Sequence, residues 1–299
     1  MINMYDDMYK MKMEYFTKDR MFPFYIQYGF HEESMYLHVH DSFSELVIVL
    51  NGSAKHIVND EEFYISQGDV FIIGSDTFHG YQDTQDFRIC NIMFCHEYFF
   101  QHALDIKETA GFQGLFVIEP IMSQKKSFHN MLKLDLYEFE MVKNMVDVMI
   151  EEYTEQKPGY KTFLTANFLN LTVLLTRQYS ATGEYEGAAN DIFGMAKSIA
   201  FIESHFMEEL SVKQLASIAG FSPRHYTRRF FEIKQSTPVQ YINVLRLQKA
   251  SYYLKSSDLS ISTIASQCGF SDSNYFSRQF KKHFHISPTR YRAKLPYIT

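Results

Sequence analysis

The feature that most constrains this chain is an internal repeat near its C-terminus. Val212, Leu215, Ala216 and Ala219 stand at relative positions 0, 3, 4 and 7, and Ile261, Ile264, Ala265 and Cys268 repeat that spacing 49 residues later. Each set runs into Gly-Phe-Ser, at Gly220-Phe221-Ser222 and Gly269-Phe270-Ser271. Beyond that point the offset becomes 50, pairing Tyr226 with Phe276, Arg228 with Arg278, Phe230 with Phe280, Pro238 with Pro288 and Tyr241 with Tyr291, so the second copy carries one inserted residue. A duplicated supersecondary unit accounts for the correspondence. In each copy one helical face, a glycine turn and a second helix make a helix-turn-helix.

The helix starts are written in the sequence. Ser211 with Gln214 three residues on forms a capping box, and Ser222-Pro223 and Ser271-Asp272 suit the start of the second helices, because proline lacks the N–H that a first turn leaves unpaired and aspartate suits the positive helix end. Thr237-Pro238 and Ser287-Pro288 begin the helices that follow. With Tyr226 and Phe230 facing inward, Arg224, Thr227 and Arg228 are left on the outer face of the first copy. Phe276 and Phe280 leave Ser273, Asn274, Ser277 and Arg278 outward in the second. Arginine pairs bidentately with guanine and asparagine with adenine, while serine and threonine suit phosphate or either base type, so these seven are the candidate DNA contacts. For any one of them, a phosphate contact or none is about as plausible as base reading. Arg229, Lys281, Lys282 and Arg290 fit backbone contacts or solvated charge.

Charge agrees with this division. The net charge of −6 conceals a segment, 193–299, with 15 Lys and Arg against 6 Asp and Glu (net +9), and a remainder with 14 against 29 (net −15). A basic C-terminal part points to nucleic acid. The three cysteines, Cys90, Cys95 and Cys268, are odd in number and have no CxxC spacing, which fits a reducing compartment. No run approaches the roughly 18 apolar residues of a membrane helix, and the N-terminus lacks a signal peptide's apolar core. A soluble cytoplasmic protein without membrane contact is expected.

The segment Ala200–Lys294 resembles the DNA-binding domain of AraC/XylS-type transcription regulators, most specifically in Gly269-Phe-Ser-Asp-Ser-Asn-Tyr-Phe-Ser-Arg-Gln-Phe280, Ile286-Ser-Pro288 and Tyr291-Arg292. The resemblance implies two helix-turn-helix units joined by a long helix, about Val239–Leu254, reading neighbouring major grooves on one DNA face. It also implies a small-molecule effector such as a sugar, a homodimer, and contact with RNA polymerase if the protein activates.

The rest of the chain reads differently. Between Phe22 and Phe94, short apolar runs (45–50, 54–58, 63–65, 70–73 and 87–94) are separated by Asn51-Gly52, a hairpin-type dipeptide, by Asn59-Asp60 and by Gln67-Gly68-Asp69, a pattern of sandwich or barrel strands. His38-Val-His40, Glu45, Gly52, Gly68, Gly74, Asp76 and His79 resemble the two motifs of the cupin barrel. The sequence departs in lacking Gly six residues before His38, in placing Gly74 and Asp76 where Pro and Gly are usual, and in having Asp83 for Asn. His38 and His40 fall on one side of a strand, and Glu45 and His79 can converge on them. Three imidazoles and a carboxylate suit a divalent Zn, Fe, Mn or Ni ion; a polar effector pocket is the other reading. The aromatic content of 16% fits stacking on a sugar face and fits an ordinary core equally.

Phe139, Val142, Met145, Val146, Met149, Ile150 and Tyr153 then mark an amphipathic helix, Pro158-Gly159 breaks it, and Tyr160–Tyr179 forms a second, apolar over more than one stripe. That width fits burial against both the barrel and a partner subunit, or packing on its own domain alone. The expected architecture is therefore α+β in two domains: an arm (1–20), a cupin-like effector domain (21–135), a helical pair for dimerisation (136–180), a linker (181–191) and an all-α DNA-binding domain (192–299). A regulator is the leading reading. A metal-dependent cupin enzyme fused to a DNA-binding module, and a ligand-independent DNA-binding protein whose barrel only dimerises, are the alternatives.

Overall fold

In a computed structural model, the structure describes residues 10–31, 35–59, 61–101, 105–123, 131–181 and 188–293. The chain divides into two compact units, Met1–Ala196 and Lys197–Thr299. The first is β-rich and carries a helical pair; the second is all helix. This is the α+β, two-domain class expected.

The strands are β1 (Lys10–Lys12), β2 (Phe24–His31), β3 (Met35–Asp41), β4 (Ser44–Val58), β5 (Glu61–Ser66), β6 (Asp69–Ile73), β7 (His79–Phe94) and β8 (Leu132–Lys133). They form one eight-stranded sheet around β4 and β7, two long antiparallel strands paired from Ser44↔Phe94 to Val58↔His79. On its other side β7 pairs with β3 near His79 and with β2 over Phe87–Phe94. β6 covers the first half of β4 and β5 the second. The first nine residues of the expected arm lie outside the described residues; the next three are β1, parallel to β3 with Met11 opposite His40.

Both faces of the sheet are buried, which is why the run 46–50 is apolar throughout instead of alternating. Leu46, Ile48, Ile92 and Phe94 pack in a core with the helical pair α4 (Leu136–Glu155) and α5 (Tyr160–Ala181), while Val47, Val49, Phe71, Ile73 and Ile89 form a second core on the inner face. Short helical turns α1 (His96–Phe100), α2 (Ala110–Phe112), a π-helical stretch Gln113–Ile118 and α3 (Glu119–Ser123) lie between sheet and pair in sequence. α5 turns Leu164, Phe168, Leu171, Leu175 and Tyr179 into its own unit.

Asn51-Gly52 does not turn the chain, contrary to the hairpin expected there. β4 runs straight through it as a bulge, with register shifts between Val49 and Lys55. Gly52 sits at φ +69°, and a Cβ there would lie 2.1 Å from the Gln85 carbonyl oxygen, so only glycine fits. Asn51 Nδ2 donates to the Asp86 carboxylate at 2.7 Å. The extra residue changes which side chains face inward: Glu45, Val47 and Val49 before the bulge, Ala54, His56 and Val58 after it.

The second unit contains the C-terminal half of α6 (Ala188–His205), then α7 (Val212–Ile218), α8 (Pro223–Lys234), α9 (Pro238–Ser256), α10 (Ile261–Gln267), α11 (Ser273–Phe284) and α12 (Pro288–Ala293). Helix α6 begins inside the stretch read as linker, since that stretch's composition is small and polar but its alanines are strong helix formers. Ser211, Ser222 and Thr237 cap their helices, but Ser211 only accepts from the Gln214 amide and does not complete the capping box expected there; the reciprocal pair is made by Thr237 and Gln240. In the second copy the cap is Asp272, not Ser271, its carboxylate accepting from the Asn274 and Tyr275 amides at 2.6 and 3.1 Å. The inserted residue is thereby absorbed in the turn. Arg246 of α9 donates from Nε and Nη2 to the Phe206 and Glu208 carbonyls at 2.6 and 2.7 Å, tying the segment before the first copy to the helix that joins the copies. Among the described residues no helix is long and apolar enough to cross a membrane.

Candidate functional site

His38 and His40 alternate on β3, so their side chains share one side, and His38 is the cross-strand partner of His79 at the start of β7. Glu45 enters from β4 on the same inner face. All four are at most 3% exposed, and one donor atom from each lies within 4.8 Å of the others. The four predicted residues are thus brought together. His40 Nε2, His79 Nε2 and Glu45 Oε2 form a triangle with edges of 3.3, 3.4 and 3.5 Å, and the His38 ring centroid is 4.3 Å from that of His79.

Burial sets the charge of this cluster. Removal from water, with the neighbouring His38 as a second cause, holds His40 down to about 3. His79 is lowered for the same first reason and then by the other histidines. Glu45 is pushed up to about 8 by burial. At neutral pH these three are uncharged, so their close contacts are not ion pairs.

The donor set fits a divalent metal. Ligand atoms 2.0–2.2 Å from a shared ion at tetrahedral angles sit about 3.3–3.6 Å apart, the size of the triangle above. Glu45 Oε2 is buried with no hydrogen-bond partner among the described residues, the kind of acceptor that a cation satisfies. Three imidazoles and one carboxylate match Zn, Fe, Mn or Ni.

Sequence reasoning missed His56. It is fully buried on β4, its Nε2 3.4 Å from His79 Nδ1, its ring stacked on Phe71 at 4.6 Å and tilted against Tyr81 at 5.1 Å. Burial and the neighbouring His38 hold it down to about 3. With Asn51-Gly52 read as a hairpin, the parity of His56 was not fixed; the bulge is what points it inward.

In the second unit, α8 buries Tyr226, Phe230 and Ile233 and α11 buries Phe276 and Phe280. Arg224 and Arg228 are exposed on α8, with Thr227 half-buried and its hydroxyl donating to the Pro223 carbonyl at 2.9 Å. Ser273, Asn274 and Arg278 are exposed on α11, with Ser277 half-buried. Glu232 lies 3.2 Å from Arg229 and 3.9 Å from Arg228.

Known proteins match both halves. The model of the AraC-like ligand binding domain covers residues 23–171 and that of a helix-turn-helix domain residues 215–294. The HTH-type transcriptional activator RhaS of Enterobacter sp. (strain 638) is 31% identical over 257 residues, spanning 85% of this chain and 86% of the relative. The chain belongs to the AraC-type family of transcription regulators. RhaS of Citrobacter koseri is 29% identical over 251 residues, spanning 83% and 84% of the two chains. The DNA-binding domain of AdpA, solved with a target DNA, is 32% identical over 33% of this chain and 90% of that one, with a TM-score of 0.33. AraC-type proteins are regulators, not enzymes, so the metal-dependent cupin enzyme is set aside.

Proposed function

We propose that this AraC-type chain is a transcription activator with two working surfaces. Arg224, Thr227 and Arg228 of α8 and Ser273, Asn274, Ser277 and Arg278 of α11 contact neighbouring major grooves of promoter DNA. His38, His40, Glu45 and His79 form the effector site, which holds a divalent metal ion and takes a small polyhydroxylated molecule, a sugar. The observation that carries the reading is the likeness to named transcriptional activators across both halves of the chain. A metal held by His38, His40, Glu45 and His79 would supply Lewis-acid binding of effector hydroxyls, a reading that the triangle of donors supports. Two chains pair through the helices α4 and α5, where Tyr137, Met141 and Val148 present an exposed apolar stripe on α4, and the bound dimer contacts RNA polymerase. The effector shifts the population in which both DNA-binding units engage adjacent half-sites.

Footprinting with the full chain on DNA upstream of its neighbouring genes tests the first surface: protection of paired half-sites is expected, and none under any effector condition sinks the reading. A thermal-shift panel of sugars, with and without Zn²⁺, tests the second. At least one sugar should raise the melting temperature of the first unit. A flat panel under both conditions overturns the sugar assignment.

A further inference from the structure

The histidine cluster has a fifth member whose place is geometric. His79 faces two ways: Nε2 points into the triangle with His40 and Glu45, and Nδ1 points at His56 Nε2, 3.4 Å away. A neutral imidazole carries its proton on one nitrogen and its lone pair on the other. For Nε2 to donate to a metal, the His79 proton must sit on Nδ1, and a proton there requires an acceptor. His56 Nε2 is positioned as that acceptor. The ring cannot readily turn away, being held between Phe71 and Tyr81 on the fully buried inner face. A metal-ligating histidine is ordinarily fixed by such a partner, and its loss weakens metal binding by 10- to 100-fold.

We infer that His56 is a positioning residue: it accepts the Nδ1–H hydrogen bond of His79 and so turns the His79 Nε2 lone pair toward a divalent ion shared with His38, His40 and Glu45. The inference rests on the metal reading of that cluster and adds to it a residue outside the ligand set. No proton is gained or lost by His56; its role is to fix a tautomer and a ring orientation.

The test titrates metal-free full-length protein with Co²⁺, following heat and the visible absorption of the bound ion, on variants first shown to be folded by their melting curves. Wild type is expected to bind one ion per chain, and His79→Ala to bind none at that site. His56→Phe, which fills the space without an acceptor, should bind 10- to 100-fold more weakly with shifted visible bands. His56→Gln, which restores an acceptor oxygen, should recover most of the affinity. If Phe prevents folding, His56→Leu carries the same comparison. A merely structural role would lower the melting temperature and leave the affinity and bands of the folded protein unchanged. Binding by His56→Phe within threefold of wild type, with the same spectrum, overturns the inference and leaves the metal reading standing. Failure of wild type itself to bind Co²⁺ overturns that reading, and the inference with it.

Discussion

Glu45 and the histidines around it respond to pH in opposite directions. His40 and His56 are held down to about 3 in the folded chain, against 6.5 when exposed. Between those values the unfolded chain binds protons that the folded one does not, so stability falls as pH drops below 6.5. Glu45 is held up to about 8 against 4.5, so the folded chain keeps a proton that the unfolded one releases, and stability falls as pH rises through that window. Below pH 6.5 the histidines, His79 among them, outweigh the single carboxyl. The metal-free protein should therefore melt highest near pH 6.5, losing stability steeply toward pH 5 and gently toward pH 8. Melting curves in chelator test this, and a flat profile between 5 and 6.5 would contradict the burial described. At the other surface, Arg278→Ala should cost about 1–3 kcal/mol of DNA binding and relax one position of the site if Arg278 reads a base. Selection of sites from a random pool, compared with wild type, separates that from uniform weakening. His38, His40, Glu45 and His79 were legible because their spacing resembles the two cupin motifs, with strand alternation placing His38 and His40 on one side. His56 was not, because its parity depends on a bulge.

The bulge also shows where legibility ends for elements. Asn-Gly between two apolar runs is a strong local signal for a reversal, but at this position the chain is opposed by Gln85 and Asp86 of β7, and Gly52 is required by that approach. Local turn chemistry carried no information about the partner strand. The helical pair and the helices of the second unit were legible almost to the residue, since periodicity and caps are local, whereas the short α1, α2, the π-helical stretch and α3 were not read at all, being too short to show a period. The exceptions are the Asp272 cap and the early start of α6. The two repeats allow a direct comparison. Gly220 and Gly269 both lie in the left-handed region, at φ +74° and +84°. A Cβ at Gly220 meets nothing within 4 Å, whereas at Gly269 it would stand 2.4 Å from the Met207 carbonyl oxygen. Gly220→Ala should therefore cost about 1 kcal/mol from backbone strain alone, and Gly269→Ala distinctly more. Denaturant melts of the two variants check the order; equal losses would mean that the second turn is not held against Met207.

For the whole molecule, the −6 average hides two halves of opposite sign, −15 and +9. The acidic part is expected to repel DNA and leave contact to the basic one. If α8 and α11 both engage, affinity should fall steeply with salt as phosphate counterions are released. Arg224→Ala, if a phosphate contact, should reduce the slope of log K against log salt by about one. Mobility-shift titrations over a range of salt measure both. The joining helix bears on the DNA as well. α9 has 19 residues, about 28 Å of rigid rod, and Arg246 clamps it to the chain entering the first copy. If α8 and α11 both read DNA, the distance between them is set by this rod, a ruler inside the protein. Operators for this regulator must conform to that ruler. Five base pairs inserted between the two contacted grooves would carry one of them to the far side of the duplex, and the remedy would have to come from a change in the length of α9, not from a more forgiving loop.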